Sequence, residues 1–288
     1  MGHSSRASED SQSAWPWTGV RSSSLDCMVG QFNDDLRLAH MMADNADSIT
    51  MSRFKATDLK FRNKPDDTPV TDADTAVEES IRITLSRSRP RDGIVGEELG
   101  STGERERRWI VDPIDGTKNF LRGVPVWATL IALEHAGEIV AGVVSAPALG
   151  RRWWASLDGG AFTGRNILNA TQLHVSHVED VTDASLSYSS LDGWVESRRG
   201  QGFVNLMRDA WRTRAYGDFW SYMLVAEGAV DIASEPELEL HDMAALDIIV
   251  REAGGRFTNL DGTDGVAGPG ALATNGRLHD TVLDYLNN

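Results

Sequence analysis

Four short segments of this 288-residue chain place carboxylates beside glycine, proline or a helix-start signal: Thr71–Asp74, Gly96-Glu97-Glu98, Asp112-Pro113-Ile114-Asp115-Gly116-Thr117 and His241-Asp242. The third is the most informative. A short apolar strand, Trp109-Ile110-Val111, runs into Asp112. Pro113 has no N–H to give a ladder, so the strand is expected to end there in a turn. Asp115 then brings a second carboxylate close to the first, and Gly116-Thr117 lead into Lys118-Asn119-Phe120 as a helix start with free backbone N–H groups. Hard divalent cations take several oxygen ligands at about 2.0–2.6 Å, which two aspartates on a tight turn can supply. A helix N-terminus beside such ions suits a phosphate. Together these residues spell metal-assisted chemistry at phosphate.

Each segment also has a plainer reading. Thr71-x-x-Asp74 is a capping box, Glu97-Glu98 a solvated loop, Asp242 an N-cap, and Asp112-Pro-Ile-Asp115-Gly an ordinary turn. Their combination is what carries weight. Two like charges 4 Å apart cost about 4 kcal/mol at an effective dielectric of 20. Gathering Glu97, Asp112, Asp115 and Asp242 therefore requires cations, and Mg²⁺ is the usual partner for carboxylate oxygen. No residue in these segments reads as an activated nucleophile, and the single cysteine, Cys27, lies upstream of them.

The elements that must position these acids can be sketched from periodicity. Asn33 is expected to cap a helix with Phe32, Leu36, Ala39, Ala43, Ala46 and Ile49 on one face. Thr71–Asp74 opens a second, with Val77, Ile81 and Leu85 facing inward and Pro90 beyond its end. Residues 126–134, 138–145 and 151–156 read as a meander, with turns at Ala136-Gly137 and Asp158-Gly159-Gly160. The second half alternates: helix 218–227, strand 229–234, helix 242–253, strands 255–260 and 270–274, and helix 277–287. Gly254 sits where a helix C-terminus wants a left-handed residue. An antiparallel first half and an alternating second half imply a layered α/β sandwich of two sub-domains, 31–180 and 181–288, joined near 175–185.

Residues 1–30 are set apart: eight are serine and no apolar period runs through them. They read as a disordered extension, or as an upstream start ahead of a natural beginning near Met28, without the pattern of a secretory signal. The chain carries 28 Lys+Arg against 43 Asp+Glu, a net charge of −15. That balance argues against nucleic acid as a partner. No apolar run approaches the roughly 18 residues of a membrane span, and a lone cysteine fits a reducing cytoplasm.

In combination, Gly96-Glu97-Glu98, the run from Trp109 to Phe120, and Asp242-Met243-Ala244-Ala245 followed by Glu252-Ala253-Gly254-Gly255 resemble the inositol-monophosphatase-like superfamily of metal-dependent phosphatases, which includes fructose-1,6-bisphosphatases. The likeness covers roughly residues 32–287, and the Asp112–Phe120 string is highly specific. Longer runs are most similar to the actinobacterial histidinol-phosphate phosphatases: Lys64-Pro65 through Asp74, Arg122 to Ala128, Arg151-Arg152-Trp153-Trp154 and Ala215 to Phe219.

The resemblance implies a layered αβαβα sandwich and a cytoplasmic homodimeric enzyme of histidine biosynthesis. Its substrate would be a small phosphorylated metabolite, attacked by a water under two to three Mg²⁺ ions. Glu97, Asp112 and the Ile114 carbonyl match the ligands of one ion; Asp112, Asp115 and Asp242 match those of a second; a third, weaker ion is expected near Glu97. Asp74 and Thr117 match the pair that positions and deprotonates the water, and the Gly116 and Thr117 N–H groups match the phosphate cradle. Asp218 and Glu235 fall where family members contact the rest of the substrate. Acids there favour the amine of histidinol phosphate over the neutral hydroxyls of inositol phosphate. A phosphatase of inositol or other sugar phosphates is the alternative. A silent regulator would lack one of the five acids, and all are present. One departure is His241, where the family commonly has Trp before the aspartate; the imidazole either supports the ligands or fills space. Trp153-Trp154 can serve either a dimer interface or the core.

Overall fold

Apolar side chains alternate along the central strands, so each strand seals two hydrophobic layers at once. Leu130 and Ala132 point into one cluster and Ile131 and Leu133 into another; Trp153 and Trp154 divide in the same way and are both fully buried. The tandem tryptophans are therefore core, not interface. The computed structural model describes residues 32–65, 68–103 and 106–288. The expectations for residues 1–30 and Cys27 lie outside them.

The helices are α1 (Asn33–Arg53), α2 (Asp72–Ser88), α3 (Thr117–Arg122), α4 (Asp192–Glu196), α5 (Gly200–Asp209), α6 (Asp218–Ala226), α7 (Leu240–Glu252) and α8 (His279–Asn287). A small hairpin joins β1 (Phe61–Asn63) to β2 (Pro69–Thr71). The large sheet contains β3 (Gly93–Gly96), β4 (Gly100–Thr102), β5 (Arg107–Asp115), β6 (Ala128–His135), β7 (Glu138–Ala146), β8 (Arg151–Ser156), β9 (Gly160–Gly164) and β10 (Ala170–Gln172). Their spatial order is β10-β9-β8-β7-β6-β5-β3-β4. The second sheet is built from β11 (Ser185–Ser187), β12 (Arg212–Arg214), β13 (Ile232–Glu235), β14 (Arg256–Thr258) and β15 (Ala271–Thr274), in the order β12-β11-β13-β15-β14.

Helices α1 and α2 cover one face of the large sheet, α6 and α7 fill the space between the sheets, and α5 and α8 close the far side of the second sheet. This is the five-layered αβαβα sandwich. Close approach of α7 depends on Gly142, where a Cβ would lie 2.6 Å from Ile248 Cγ2 and 3.1 Å from the Ala245 Cα.

Several local expectations need correction. Phe32, not Asn33, is the N-cap of α1, with no side-chain bond; the first-turn acids Asp34 and Asp35 face the positive end of the helix instead. Asp242 lies inside α7, whose N-cap is Glu239. The first half is not wholly antiparallel, because β3 pairs with β5 in parallel. The strand expected at 229–234 is Ile232–Glu235. The ladder of β5 does not end at Asp112: it resumes at Asp115 after a bulge.

Candidate active site

That bulge explains how two aspartates three positions apart act together. In an unbroken strand they would point to opposite faces. Here Asp112 pairs with Leu130 and Asp115 with Ala128, so the extra residue on β5 returns both carboxylates to one face. Leu130 and Ala128 belong to the layer between the sheets, which places the aspartates toward α6 and α7. Pro113 contributes a carbonyl in place of the missing donor, accepting the Thr129 hydroxyl at 2.8 Å. Gly116 follows in the left-handed region at φ 83°, where a Cβ would lie 2.9 Å from the Val126 carbonyl oxygen, and α3 begins at Thr117.

The parallel pairing of β3 with β5 delivers Glu97. Gly96 sits opposite Val111, and the Glu97 N–H donates to the Val111 carbonyl at 3.3 Å, so its side chain leaves the sheet beside Asp112. Asp242 comes from the first turn of α7, with Oδ2 accepting the Glu239 N–H at 2.8 Å. One oxygen from each of Asp112, Asp115 and Asp242 lies within 4.8 Å of the others. Burial, then the charges of Glu97, Asp115 and Asp242, pushes the Asp112 carboxyl well above the usual range. Asp115 is raised by burial and by Asp218 and Asp242. Asp242 is raised by burial, against the neighbouring His241 imidazole and the Glu239 N–H, both of which favour its ionised form. Asp112 Oδ1 is buried without a hydrogen-bond partner.

An all-carboxylate donor set with an orphaned oxygen fits a hard divalent cation. Ligands around one Mg²⁺ stand about 3–4 Å apart, so little closure is needed. Lys64 reaches the edge of this set, its Nζ 2.7 Å from both Glu97 Oε1 and Glu98 Oε1.

Asp74 is placed by the capping box of α2, and the plain reading of that motif is correct as far as it goes. Its Oδ2 accepts the Thr71 N–H at 2.8 Å and the Thr71 hydroxyl at 2.5 Å. Oδ1 has no partner in a fully buried setting. Burial outweighs the Thr71 bonds and, with the charges of Glu98 and Glu97, lifts its carboxyl to about 7. The Thr117 hydroxyl donates to the Ile114 carbonyl at 2.9 Å, not to Asp74.

Asp218 and Glu235 are tied through Ser189. The Ser189 hydroxyl accepts the Asp218 N–H at 2.8 Å, its own N–H donates to Glu235 Oε1, and Asn119 Nδ2 donates to Asp218 Oδ2 at 2.7 Å. Asp218 is left-handed at φ 49°, an uncommon conformation for this residue, and the Phe219 N–H after it donates to Asp115 Oδ2 at 2.7 Å. Burial, then the Asp242 charge, raises Asp218 to about 6; burial raises Glu235 to about 8.

These groups line one cavity of about 600 Å³, whose wall includes Glu97, Asp112, Ile114, Asp115, Gly116, Thr117, Asp218, Glu235 and Asp242. Of the expected residues, Asp74 alone stands behind this wall. The cavity also holds Lys64, Lys118, Ser189, Tyr222, Glu237, Glu239 and His241. His241 Nε2 is 3.7 Å from Asp242 Oδ1, so the imidazole flanks a candidate ligand. Ser189 and Asn119 meet Asp218, and Tyr222 lines the same cavity, only through the tertiary fold; of the three, Asn119 alone carries a signal in the sequence, inside the Asp112–Phe120 string.

The profile of the inositol monophosphatase family matches residues 34–288. The chain is 64% identical to the histidinol-phosphatase of Streptomyces coelicolor over 258 residues, covering 88% of this chain and 97% of that one. It is 59% identical to the histidinol-phosphatase of Mycobacterium tuberculosis over 256 residues, covering 88% and 98% respectively. Among solved structures, the inositol monophosphatase of Zymomonas mobilis superposes with a TM-score of 0.79 at 31% identity, over 90% of this chain and 100% of that one.

Proposed function

The chain belongs to the inositol monophosphatase family, and from that premise we propose that it hydrolyses L-histidinol phosphate to L-histidinol and phosphate, a step of histidine biosynthesis. It is a phosphoric monoester hydrolase, as its histidinol-phosphatase relatives are named. The observation that carries the substrate assignment is a surplus of acids. Beyond Glu97, Asp112, Asp115 and Asp242, the cavity wall bears Asp218, Glu235, Glu237 and Glu239. A phosphorylated amine gives these carboxylates a cation to meet, whereas an inositol phosphate offers them only neutral hydroxyls.

In this reading Glu97, Asp112 and the Ile114 carbonyl would hold one Mg²⁺, Asp112, Asp115 and Asp242 would hold a second, and Glu97 would serve a third. When bound, Mg²⁺ neutralises phosphate charge, stabilises the leaving oxygen and lowers the pKa of water. The residues do the rest. Asp74, buried behind the cavity wall with Oδ1 unpartnered, acts with Thr117 to take the proton of the attacking water. Thr117 orients that water while its hydroxyl remains anchored on Ile114. The Gly116 and Thr117 N–H groups receive the phosphate, and Asp218 and Glu235 take the amine. Attack is direct, with no covalent intermediate.

Replacing Asp218 by Asn tests the substrate assignment. A charge-assisted hydrogen bond contributes about 1.5–3 kcal/mol, so KM for L-histidinol phosphate should rise about tenfold or more, with little change for myo-inositol 1-phosphate. An unchanged KM for L-histidinol phosphate contradicts the assignment. A cytoplasmic homodimer, with neither nucleic acid nor membrane as partner, completes the proposal. It rests on the resemblance and on the acidic balance, since Trp153 and Trp154 are consumed by the core.

A further inference from the structure

On α2, Asp74, Glu78 and Arg82 recur every four residues and so share one face of the helix. Asp74 belongs to the chemistry proposed above, but Glu78 and Arg82 do not. Glu78 is nonetheless fully buried, and its carboxylate is spent on the turn between β3 and β4. Oε2 accepts the Glu98 N–H at 2.7 Å and Oε1 accepts the Leu99 N–H at 3.1 Å. Arg82 neutralises the same carboxylate, with Nε at 2.9 Å and Nη2 at 2.7 Å from Oε1. It also reaches past the carboxylate to the Gly100 carbonyl and, at 3.4 Å, to the Thr102 hydroxyl. Gly96 is what admits this arrangement: a Cβ there would lie 2.0 Å from Glu78 Oε1.

The turn held in this way is the one that bears Glu97. A buried carboxylate that accepts two successive backbone N–H groups fixes the path of the chain on the far side of Glu97, while the Val111 carbonyl fixes the near side through the Glu97 N–H. We propose that Glu78, braced by Arg82, is a positioning residue for Glu97, so that α2 sets both the water-activating Asp74 and the Glu97 metal ligand from one rigid element. This rests on the reading of Glu97 as a ligand. Its physical basis is general: partners that orient a ligand typically change metal affinity by about 10–100-fold when lost.

The test is direct binding of Mn²⁺ to the full chain, followed through the electron paramagnetic resonance of the free ion, together with amide exchange at Glu98 and Leu99. Glu78→Gln should weaken Mn²⁺ binding by about 10–100-fold and speed exchange at both amides. Arg82→Gln, the milder variant, should move both readouts the same way and decides the matter if Glu78→Gln does not fold. Ile81→Val, which trims the buried face of the same helix, should bind Mn²⁺ as the unaltered chain does. Wild-type affinity in both Glu78→Gln and Arg82→Gln would overturn the proposal, as would an equal loss in Ile81→Val, which would mark the effect as general destabilisation. No Mn²⁺ binding by the unaltered chain would overturn the ligand reading itself.

Discussion

Asp115 accepts the Phe219 N–H at 2.7 Å, yet burial and the charges of Asp218 and Asp242 hold its carboxyl far above the ordinary range. A group whose folded pKa is raised is destabilising when ionised, so at neutral pH without metal this aspartate opposes folding. Asparagine keeps the acceptor for Phe219 and removes the charge. Asp115→Asn should therefore raise the melting temperature of the metal-free chain by several degrees while lowering turnover by about 10²–10³-fold or more. Thermal denaturation in chelator and a phosphate-release assay measure the two effects. A variant that retains turnover would overturn the metal assignment, and one that melts lower in chelator would contradict this repulsion. The types of these acids could be read from the chain, because Asp112-Pro113-Ile114-Asp115-Gly116-Thr117 is local and distinctive. Their support could not: Ser189 meets Asp218 and Glu235 across 29 and 46 positions of sequence.

Two histidines pin the outer helical layers to their sheets. His40 on α1 meets Arg152 of β8 at 3.3 Å and Trp154 edge-on, with ring centroids 4.8 Å apart. His279 on α8 lies 2.9 Å from Thr258 Oγ1 of β14 and 3.0 Å from Thr274 Oγ1 of β15. Burial, then a neighbouring arginine, lowers each from 6.5 to about 4. The unfolded chain binds these protons near pH 6.5 and the folded chain only near pH 4, so within that window the unfolded state holds more protons. Stability should be full above the window, fall as pH drops through it, and lose nothing further from these groups below it. Each contributes on the order of 3 kcal/mol. Urea titrations across the window check this, and His40→Gln should flatten the slope; an unchanged slope would contradict the role of His40. At this scale α2, β6 and β7 were legible because their apolar periods are long and local. The bulge in β5 was not, since Pro113 ends a ladder in most contexts and only the continued pairing with β6 restores it. The parallel neighbour β3 and the three-residue strands β11 and β12 depend on distant partners and leave almost no period of their own.

Over the whole molecule, the net charge of −15 can be divided. Part of it is concentrated in one cavity, where Glu97, Asp112, Asp115 and Asp242 share a wall with Asp218, Glu235, Glu237 and Glu239. The layers explain why the acids converge there. The large sheet presents β3 and β5 from one side, α6 and α7 fill the gap between the sheets, and β13 brings Glu235 from the other. The most direct measurement is phosphate release from L-histidinol phosphate and from myo-inositol 1-phosphate, each with Mg²⁺ and with chelator. Rapid release from L-histidinol phosphate with Mg²⁺ is expected, with slow release from the inositol ester and none from either in chelator. Comparable rates on the two esters, an inositol preference, or undiminished release in chelator would contradict the proposed function.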